Sequence, residues 1–230
     1  MSKTLISLFL AVAVSSGQYL GKNTENIDVF RINLNDEPNQ RFREPALRYK
    51  DKIVDLLNRY EPLIPTMLIE VFTYLDWGIK WYHPERFGEI SGMAAVVGMN
   101  PHLALLVNYV YEFESFCTSI ITKLSDGTIL HMRNLDFDFP DEMKQVTYIA
   151  QFYRDNEYVY EGVMFGGLVA MQTGYRPGAF SVSLNQRTPS GQQSMIDILE
   201  NVSMILLSYN QPSWSIRDTL ATCSDYACAL

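Results

Sequence analysis

The sequence predicts an α+β fold, in which helices cover the face of an antiparallel sheet. In residues 47–114 the apolar side chains recur every three or four positions, which is the spacing of amphipathic helices. After Cys117, short runs rich in β-branched and aromatic residues alternate with turn signals, a pattern that predicts strands. Helical spacing returns in residues 194–207. A helical part is therefore followed by a stranded part, and the change falls near Cys117.

One strand and a loop are predicted ahead of the helical part. The apolar residues of segment 29–34 alternate with polar ones, and prolines follow at Pro38 and Pro45. This pattern predicts an edge strand and then a loop as far as residue 44. Further along, Asn100 followed by Pro101 predicts a helix cap and a first-turn proline. The helix that begins there runs toward Cys117.

Five strands are predicted after Cys117, in segments 118–124, 128–132, 146–153, 158–164 and 179–184. A turn at Asp126-Gly127 makes a hairpin of the first two, and Asp155-Asn156 joins the third and fourth. A short helix is predicted near Ser213. Two packed sheets would need more strands than these. We therefore expect the chain to be truncated at its carboxyl end.

The first residues have the pattern of a secretory signal peptide. Lys3 precedes an apolar run in residues 5–14, and small residues follow at positions 15–17. A membrane anchor or a core helix is the alternative, but the run is shorter than the roughly 20 residues that span a bilayer. We therefore expect residues 1–17 to be a signal peptide, and the protein to be secreted or lysosomal.

Composition narrows the classes of function. With 47% apolar residues the chain can bury one large core, and a net charge of -8 argues against a nucleic-acid partner. Three cysteines exclude a disulfide-dense scaffold; Cys223 and Cys228 can pair with each other or with another segment or chain. Asn201 begins a glycosylation sequon, which agrees with passage through a secretory compartment.

Cys117 lies between an apolar helix and a strand, where a cysteine is usually an inert small apolar residue. The predicted hairpin changes this expectation, because it brings the strand that ends at Arg133 beside the strand that begins at Cys117. A nearby guanidinium stabilises a thiolate, and the carboxylate of Asp136 can orient an amine. The alternative is a structural ion pair between Arg133 and Asp136. We expect His131 to be a packed strand residue.

Several segments resemble the family of acid ceramidases and N-acylethanolamine-hydrolysing acid amidases, which are cholylglycine-hydrolase-like N-terminal-nucleophile cysteine hydrolases. They are segments 116–120 (FCTSI), 126–127 (DG), 131–137 (HMRNLDF), 87–93 (FGEISGM), 105–109 (LLVNY) and 166–185. The resemblance covers nearly all of the chain after the predicted signal peptide. It implies an αββα sandwich and a precursor that cuts itself before the nucleophile.

The resemblance implies that the cut falls between Phe116 and Cys117 and yields a helical α-subunit or propeptide region, 18–116, and a β-subunit that begins at 117 and is incomplete at 230. Cys117 is then the nucleophile. Its new α-amine, with a pKa of roughly 7.7 to 8, can take the proton of its own thiol, whose ordinary pKa is about 8.5. No histidine, metal or cofactor is required.

The other site residues implied by the resemblance are Arg133, which holds the thiolate and the substrate, Asp136, which accepts from the α-amine, and Asn185. The resemblance also implies that the substrates are fatty-acid amides, with N-acylethanolamines as the first class and ceramides as the second. The implied compartment is the lysosome. Asn185 also fits a strand-end turn. The segments are somewhat nearer to the N-acylethanolamine branch of the family than to the ceramidase branch.

Two features depart from the family pattern. Gln186 stands where the family has a glutamate, and family members continue beyond the position of Leu230 to supply an oxyanion-hole asparagine and an active-site arginine. Loss of one oxyanion donor costs about a hundredfold in rate. The alternative hypothesis is therefore a catalytically inert lipid-binding or regulatory relative. A papain-like protease is not indicated, because the residues around Cys117 do not match the motif that surrounds the papain cysteine.

The apolar segment 63–77, which includes Trp77, allows two interpretations. Its helix can line an acyl groove or contact a lipid surface as a peripheral membrane helix. It can equally be a core helix. The sequence alone leaves both open.

Overall fold

The computed structural model describes residues 9–13, 18–19, 27–64, 66–110, 116–136, 140–185 and 212–230. Their helices and strands follow in chain order: β1 (Phe9–Ala13), β2 (Gln18–Tyr19), β3 (Val29–Asn33), α1 (Pro38–Arg41), α2 (Arg43–Arg48), α3 (Lys50–Tyr60), a 3-10 turn (Glu61–Leu63), α4 (Thr66–Tyr82), α5 (Pro84–Val97), α6 (Pro101–Val110), β4 (Phe116–Lys123), β5 (Ile129–Asp136), α7 (Pro140–Gln145), β6 (Thr147–Arg154), β7 (Glu157–Phe165), β8 (Thr173–Arg176), β9 (Phe180–Ser183), α8 (Pro212–Thr222) and α9 (Tyr226–Ala229).

The strands form two sheets, of order β2-β1-β5-β4 and β3-β6-β7-β8-β9. The α+β class is confirmed, and two sheets form although the strands that the sequence indicates were too few for two. The sequence missed β1 and β2, which pair beside β5, and β8, which is a strand of its own. It predicted β3 but not the pairing of β3 with β6. The sequence of β8, Thr-Gly-Tyr-Arg, is short and contains a glycine, so it gives no clear alternation.

β3 is the edge strand that the sequence predicts, and it runs parallel to β6, with Val29 opposite Ile149. The loop predicted after it is wrong, since α1 and α2 occupy that segment. Phe42 and Ala46 are buried there, and a helical turn carries both side chains into the core. Tertiary burial therefore overrides a proline-rich local pattern.

The predicted caps and turns are confirmed. The side-chain oxygen of Asn100 accepts from the backbone N–H of His102 at 2.9 Å, at the start of α6. Gly127 has a φ of 89° in the β4–β5 turn, and Asp155 and Asn156 have φ of 53° and 65° in the β6–β7 turn. The helix predicted near Ser213 is α8, whereas the one predicted at 194–207 lies outside the described residues.

Aromatic rings join the N-terminal part of the chain (residues 27–110) to the larger sheet. Phe30 packs edge-on against Tyr148 at 5.3 Å between ring centroids, and Phe42 packs against Phe152 at 6.2 Å. Phe152 stacks on Tyr160 at 4.3 Å. Such pairs add about 0.5–1.5 kcal/mol each to the free energy of burial. The helices of the N-terminal part therefore share a core with the strands of the C-terminal part (residues 116 onward).

Two further observations concern the ends of the chain. β1 lies within the predicted signal peptide and pairs antiparallel with β5, with Phe9 opposite Asn134. Removal of this segment stays a prediction. At the other end Cys223 and Cys228 form a disulfide, which decides between the pairings that the sequence left open. Within the described ranges, no helix has both the length and the apolarity to cross a membrane.

Candidate functional site

Cys117 is the second residue of β4, half-buried and reduced, and it stands opposite Leu135 in β5. Side chains on a strand alternate between faces, and residues directly opposite in the ladder share a face. Ser119 stands opposite Arg133 in the same ladder. The predicted hairpin therefore puts Cys117 and Arg133 on one face of the smaller sheet.

Arg133 links this face to the larger sheet. Its side chain is buried, with 4% of its surface exposed. One guanidinium nitrogen donates to the carbonyl oxygen of Gln172 at 2.8 Å, and the other donates to the carbonyl oxygen of Leu184. These two carbonyls flank the β8–β9 hairpin. Two carbonyl oxygens of the larger sheet thus hold the guanidinium close to β4, the strand that carries Cys117.

Asn185 also reaches this end of the molecule. The hydroxyl of Ser119 donates to the side-chain oxygen of Asn185 at 2.9 Å, and the hydroxyl of Ser183 lies 2.8 Å from that of Ser119. Three of the four predicted catalytic residues, Cys117, Arg133 and Asn185, therefore lie around Ser119 at one end of the two sheets. Sequence reasoning missed the serines.

His131 continues the same hydrogen-bond chain. Its Nε2 lies 3.0 Å from the hydroxyl of Ser183, and its Nδ1 lies 2.8 Å from that of Ser181. The hydroxyl of Ser119 donates to Asn185, so it can accept a hydrogen bond from Ser183. Ser183 can in turn accept from the Nε2–H of His131, and all three hydrogen bonds then run from His131 toward Asn185. Burial, and next the charge of Arg133, hold the pKa of His131 below its ordinary value of 6.5. The imidazole is a buried link in this chain, as expected for a packed strand residue, and its surroundings favour the neutral form.

A sequence signal for these hydroxyls exists. Ser119 falls two residues after Cys117, and Ser181 and Ser183 alternate in the same way on β9. Period-two spacing puts each set on one face of its strand. That the two faces meet is set by the packing of the sheets, which the sequence pattern does not specify.

Asp136 stands opposite Phe116 at the start of the β4–β5 ladder, one position from the Cys117–Leu135 pair. The backbone therefore brings Asp136 to the predicted cleavage junction. Its role toward the α-amine stays a prediction, as does the alternative ion pair with Arg133. Gln186 and the sequon residue Asn201 lie outside the described residues.

Among the described side chains, the site combines a half-buried thiol, a buried guanidinium, hydroxyl groups and an amide. A thiolate is the nucleophilic form of cysteine, and a neighbouring cation favours it. The described residues contain no cluster of three or more histidine, cysteine, aspartate or glutamate side chains suited to a metal ion. The arrangement is suited to covalent catalysis of acyl transfer.

Comparisons with known proteins find acid amidases and acid ceramidases among the relatives of this chain. It is 30% identical over 169 residues to an N-acylethanolamine-hydrolysing acid amidase of Rattus norvegicus, covering 73% of this chain and 45% of the relative. It is 34% identical over 177 residues to an acid ceramidase of Mus musculus, covering 68% and 44%. An N-acylethanolamine-hydrolysing acid amidase of Caenorhabditis elegans is 28% identical over 242 aligned positions, covering 96% and 62%.

The chain spans less than half the length of the rat and mouse relatives. Among solved structures, the Caenorhabditis elegans N-acylethanolamine-hydrolysing acid amidase ortholog aligns with a TM-score of 0.43 and 34% identity, over 48% of this chain and 46% of that one. No protein-family model matches the chain.

Proposed function

The chain belongs, over the part that it spans, to the family of the acid ceramidases and N-acylethanolamine-hydrolysing acid amidases, and on this premise we propose that it hydrolyses the amide bond of fatty-acid amides. The observation that carries the proposal is the convergence of Cys117, Arg133 and Asn185 around Ser119. We expect the two sheets and their helices to be part of an αββα sandwich.

In the proposed mechanism the chain first cuts itself between Phe116 and Cys117. The new α-amine of Cys117 takes the proton of the thiol, and the thiolate attacks the carbonyl carbon of the substrate amide. The C–N bond then breaks, and the leaving amine takes a proton from the α-ammonium. Water attacks the resulting thioester, which releases the fatty acid and restores the thiol.

The remaining residues have supporting roles in this proposal. Arg133 balances the negative charge that develops at the thiolate and the carbonyl oxygen, and buried charge of this kind acts strongly in a dry site. Asp136 accepts a hydrogen bond from the α-amine and orients it. Asn185, held by Ser119, offers an amide group to the substrate. N-acylethanolamines are the expected substrates, with ceramides as the second class.

The proposed route through the cell follows from the family of acid amidases and from two sequence signals. A signal peptide at 1–17 and a sugar at Asn201 would direct the chain through the secretory route to the lysosome or out of the cell. After the cut, 18–116 and 117–230 would remain together as an α/β heterodimer.

A mass measurement tests the function. The protein secreted from a eukaryotic host is held at mildly acidic pH, with and without a thiol-reactive fatty-acyl probe, and its intact mass is recorded. Two chains that meet at Phe116 and Cys117, with the probe on Cys117, support the amidase. The Cys117→Ala variant should give one unlabelled chain. One unlabelled chain from the unaltered protein would instead favour the inert lipid-binding relative.

We also propose that α4 contacts a lipid surface. Phe72 and Ile79 of this helix are buried, whereas Tyr74, Trp77 and Trp81 are 83%, 71% and 71% exposed. The three exposed positions lie on one face of the helix, and the two tryptophan rings stack at 6.3 Å. α4 thus has both a core face and an exposed aromatic face, and aromatic rings are favoured at the membrane–water interface.

Binding to phosphatidylcholine vesicles tests this contact. Because burial of a large apolar side chain is worth about 1.5–3 kcal/mol, Trp77→Glu should weaken vesicle binding about tenfold or more. Tyr226→Glu is the control, since Tyr226 is also exposed, at 62%, but lies on α9. Equal binding by the Trp77 variant and the unaltered protein would contradict the proposed contact.

A further inference from the structure

One loop, residues 166–172 between β7 and β8, is held from two directions by buried side chains. Val169 in this loop is fully buried. Its backbone N–H donates to the side-chain oxygen of Asn108, on α6, at 2.8 Å. Its carbonyl oxygen accepts from the guanidinium of Arg217, on α8, at 2.8 Å. The backbone N–H of Val169 is thus bound by the N-terminal part of the chain, and its carbonyl oxygen is bound by the C-terminal part.

Asn108 binds the loop as a second peptide group would. Besides accepting from Val169, it donates through its amide nitrogen to the carbonyl oxygen of Gly167 at 3.1 Å. Only 2% of Asn108 is exposed. The amide thus satisfies one donor and one acceptor of a loop that water does not reach, and either group would be costly to leave unpaired.

Arg217 and Glu89 make the second connection. Glu89, on α5, is 1% exposed, and Arg217 is 6% exposed. The two guanidinium nitrogens of Arg217 donate to the two carboxylate oxygens of Glu89 at 2.6 and 3.0 Å, in a bidentate pair. Arg41 of α1 also donates to Glu89 at 3.0 Å. The carboxylate from the N-terminal part therefore neutralises a cation buried in the C-terminal part.

Aromatic side chains make up much of the remaining surroundings of Arg217. The rings of Phe42, Phe152 and Trp214 lie 5.5, 5.1 and 5.1 Å from its guanidinium carbon. Removal of one partner of a buried ion pair leaves an uncompensated charge, which is strongly unfavourable. If the N-terminal part were to leave, Arg217 would lose its carboxylate and Val169 would lose its amide partner.

We propose that Asn108, Glu89, Val169 and Arg217, which we call the Val169 junction, are the interaction site through which the N-terminal part stays bound after the backbone is cut. The inference rests on the proposed cut between Phe116 and Cys117, and it deepens that proposal by naming the residues that recognise the partner. The partner is the chain's own N-terminal part, identified by one buried carboxylate and one buried amide. Strand pairing of β3 with β6 adds affinity without this side-chain selectivity.

A second consequence concerns the candidate site. Gln172 ends the loop that the Val169 junction holds, and its carbonyl oxygen accepts from Arg133 at 2.8 Å. Loosening of the junction therefore loosens one of the two carbonyls that position Arg133. The N-terminal part is thus a permanent component of the site.

The test makes the cut independently of self-cleavage. Cys117→Ala silences the proposed reaction, and segment 111–115 is replaced by the recognition sequence of a site-specific protease. After complete cleavage, native mass spectrometry and size exclusion follow the release of the N-terminal fragment along a urea series. The nicked protein should remain a one-to-one complex in buffer and in roughly 0.5 M salt, because salt screens a buried ion pair poorly.

In this background Glu89→Gln should lower the urea concentration for half-release by about 1 M or more. Arg59→Gln is the matched control. The ion pair of Arg59 with Glu142 also joins the two parts, at 2.9 Å, but Arg59 is 55% exposed. Its loss should shift the midpoint by less than about 0.3 M. Separation of the nicked parent in buffer, or equal shifts in the two variants, would overturn the inference.

Folding is checked on the same proteins before the cut, by near-ultraviolet circular dichroism. If Glu89→Gln does not fold when intact, Arg217→Lys replaces it, because lysine keeps the charge but gives only one contact to the carboxylate. It should lower the release midpoint by more than Arg59→Gln does, and an unchanged midpoint would overturn the inference. Absence of self-cleavage in the unaltered chain would count against the proposed function alone, since the nick is made by the added protease.

Discussion

At the scale of single residues, Arg133 combines two tasks that a different cation could not both perform. Its forked guanidinium donates to the carbonyls of Gln172 and Leu184, while its backbone position stands opposite Ser119, two residues from Cys117. A lysine carries the same charge on one nitrogen and cannot span two acceptors in a fixed plane. Substitution of Arg133 by lysine therefore keeps the positive charge but changes where that charge lies.

Arg133→Lys should slow labelling of Cys117 by the fatty-acyl probe about tenfold or more, because the proposed mechanism needs the cation in a fixed place and a small displacement is costly. The rate is measured by intact mass over time. Arg176→Lys is the control, since Arg176 likewise donates to a carbonyl oxygen, that of Leu220, at 2.7 Å, but between β8 and α8. Equal slowing in the two variants would mean that the effect is one of general packing.

His131 gives a prediction on pH. Its pKa lies below 6.5 because of burial and then Arg133, so the folded state favours the neutral ring. As the pH falls, the unfolded chain takes up the proton near pH 6.5 before the folded chain does. Stability contributed by the neutral ring is thus fully present above this pH and declines below it, until the folded ring is protonated too.

We therefore expect His131→Gln to reduce the difference between urea midpoints measured at pH 7.5 and at about pH 5. Burial, followed by the charge of Arg86, also lowers the pKa of His83. His83→Gln should therefore also reduce the difference between the two urea midpoints, and the double variant should show the smallest difference between them. An undiminished pH difference in a folded His131 variant would contradict the assignment.

The sequence predicts the ionisable and nucleophilic members of the candidate site but not its hydroxyls. Cys117, Arg133 and Asn185 are recognisable because a hairpin and a family resemblance put them in order. Ser119 and Ser183 gain meaning only from a contact of 2.8 Å between different sheets. Serine is common at strand surfaces, so its alternation predicts a shared face and not the partner that this face will meet.

At the scale of elements, the approach of α1 to α5 depends on a glycine. A Cβ built on Gly92 would lie within 2.6 Å of the backbone carbonyl carbon of Asn39. Real side chains do not come so close, and the obstacle is backbone, which cannot rotate away. α1 packs so near α5 that Arg41 reaches Glu89. The close packing thus brings a second guanidinium to the carboxylate of the Val169 junction.

Gly92→Ala should lower the free energy of unfolding by about 1–3 kcal/mol, although alanine is by itself the better helix former. Urea denaturation measures the loss. Ala95→Ser serves as control on the exposed face of the same helix and should change stability by less than about 0.5 kcal/mol. A Gly92 variant as stable as the unaltered protein would show that α1 can move away at no cost.

Elements with strong local signals were predictable, and those that depend on distant contacts were not. The caps at Asn100 and the turn at Gly127 are local, because the cap oxygen and the positive φ satisfy groups within a few residues. α1, α2 and β8 are short, and their form is decided by burial against the rest of the molecule. Propensity summed over four to six residues is too weak to compete with that burial.

At the scale of the whole molecule, the proposed subunit boundary crosses one continuous core. β3 belongs to the N-terminal part, yet it pairs along five positions with β6 of the C-terminal part, from Val29 opposite Ile149 to Asn33 opposite Tyr153. Phe30 and Phe42 insert among the rings of the larger sheet. Each part therefore buries apolar surface against the other.

This shared core predicts that the uncut chain unfolds as one unit. Amide hydrogen exchange along a denaturant series should give the same opening free energy for buried positions of α5, such as Ile90, and of β7, such as Met164, since both lie in the common core. Exposed amides of the β4–β5 turn, near Gly127, should open more easily and serve as the internal control. If α5 opened at a clearly lower free energy than β7, the N-terminal part would be a separate folding unit. The Val169 junction would then act as a docking contact between two folded bodies, whereas a common opening free energy means that it is part of the core on which both parts depend.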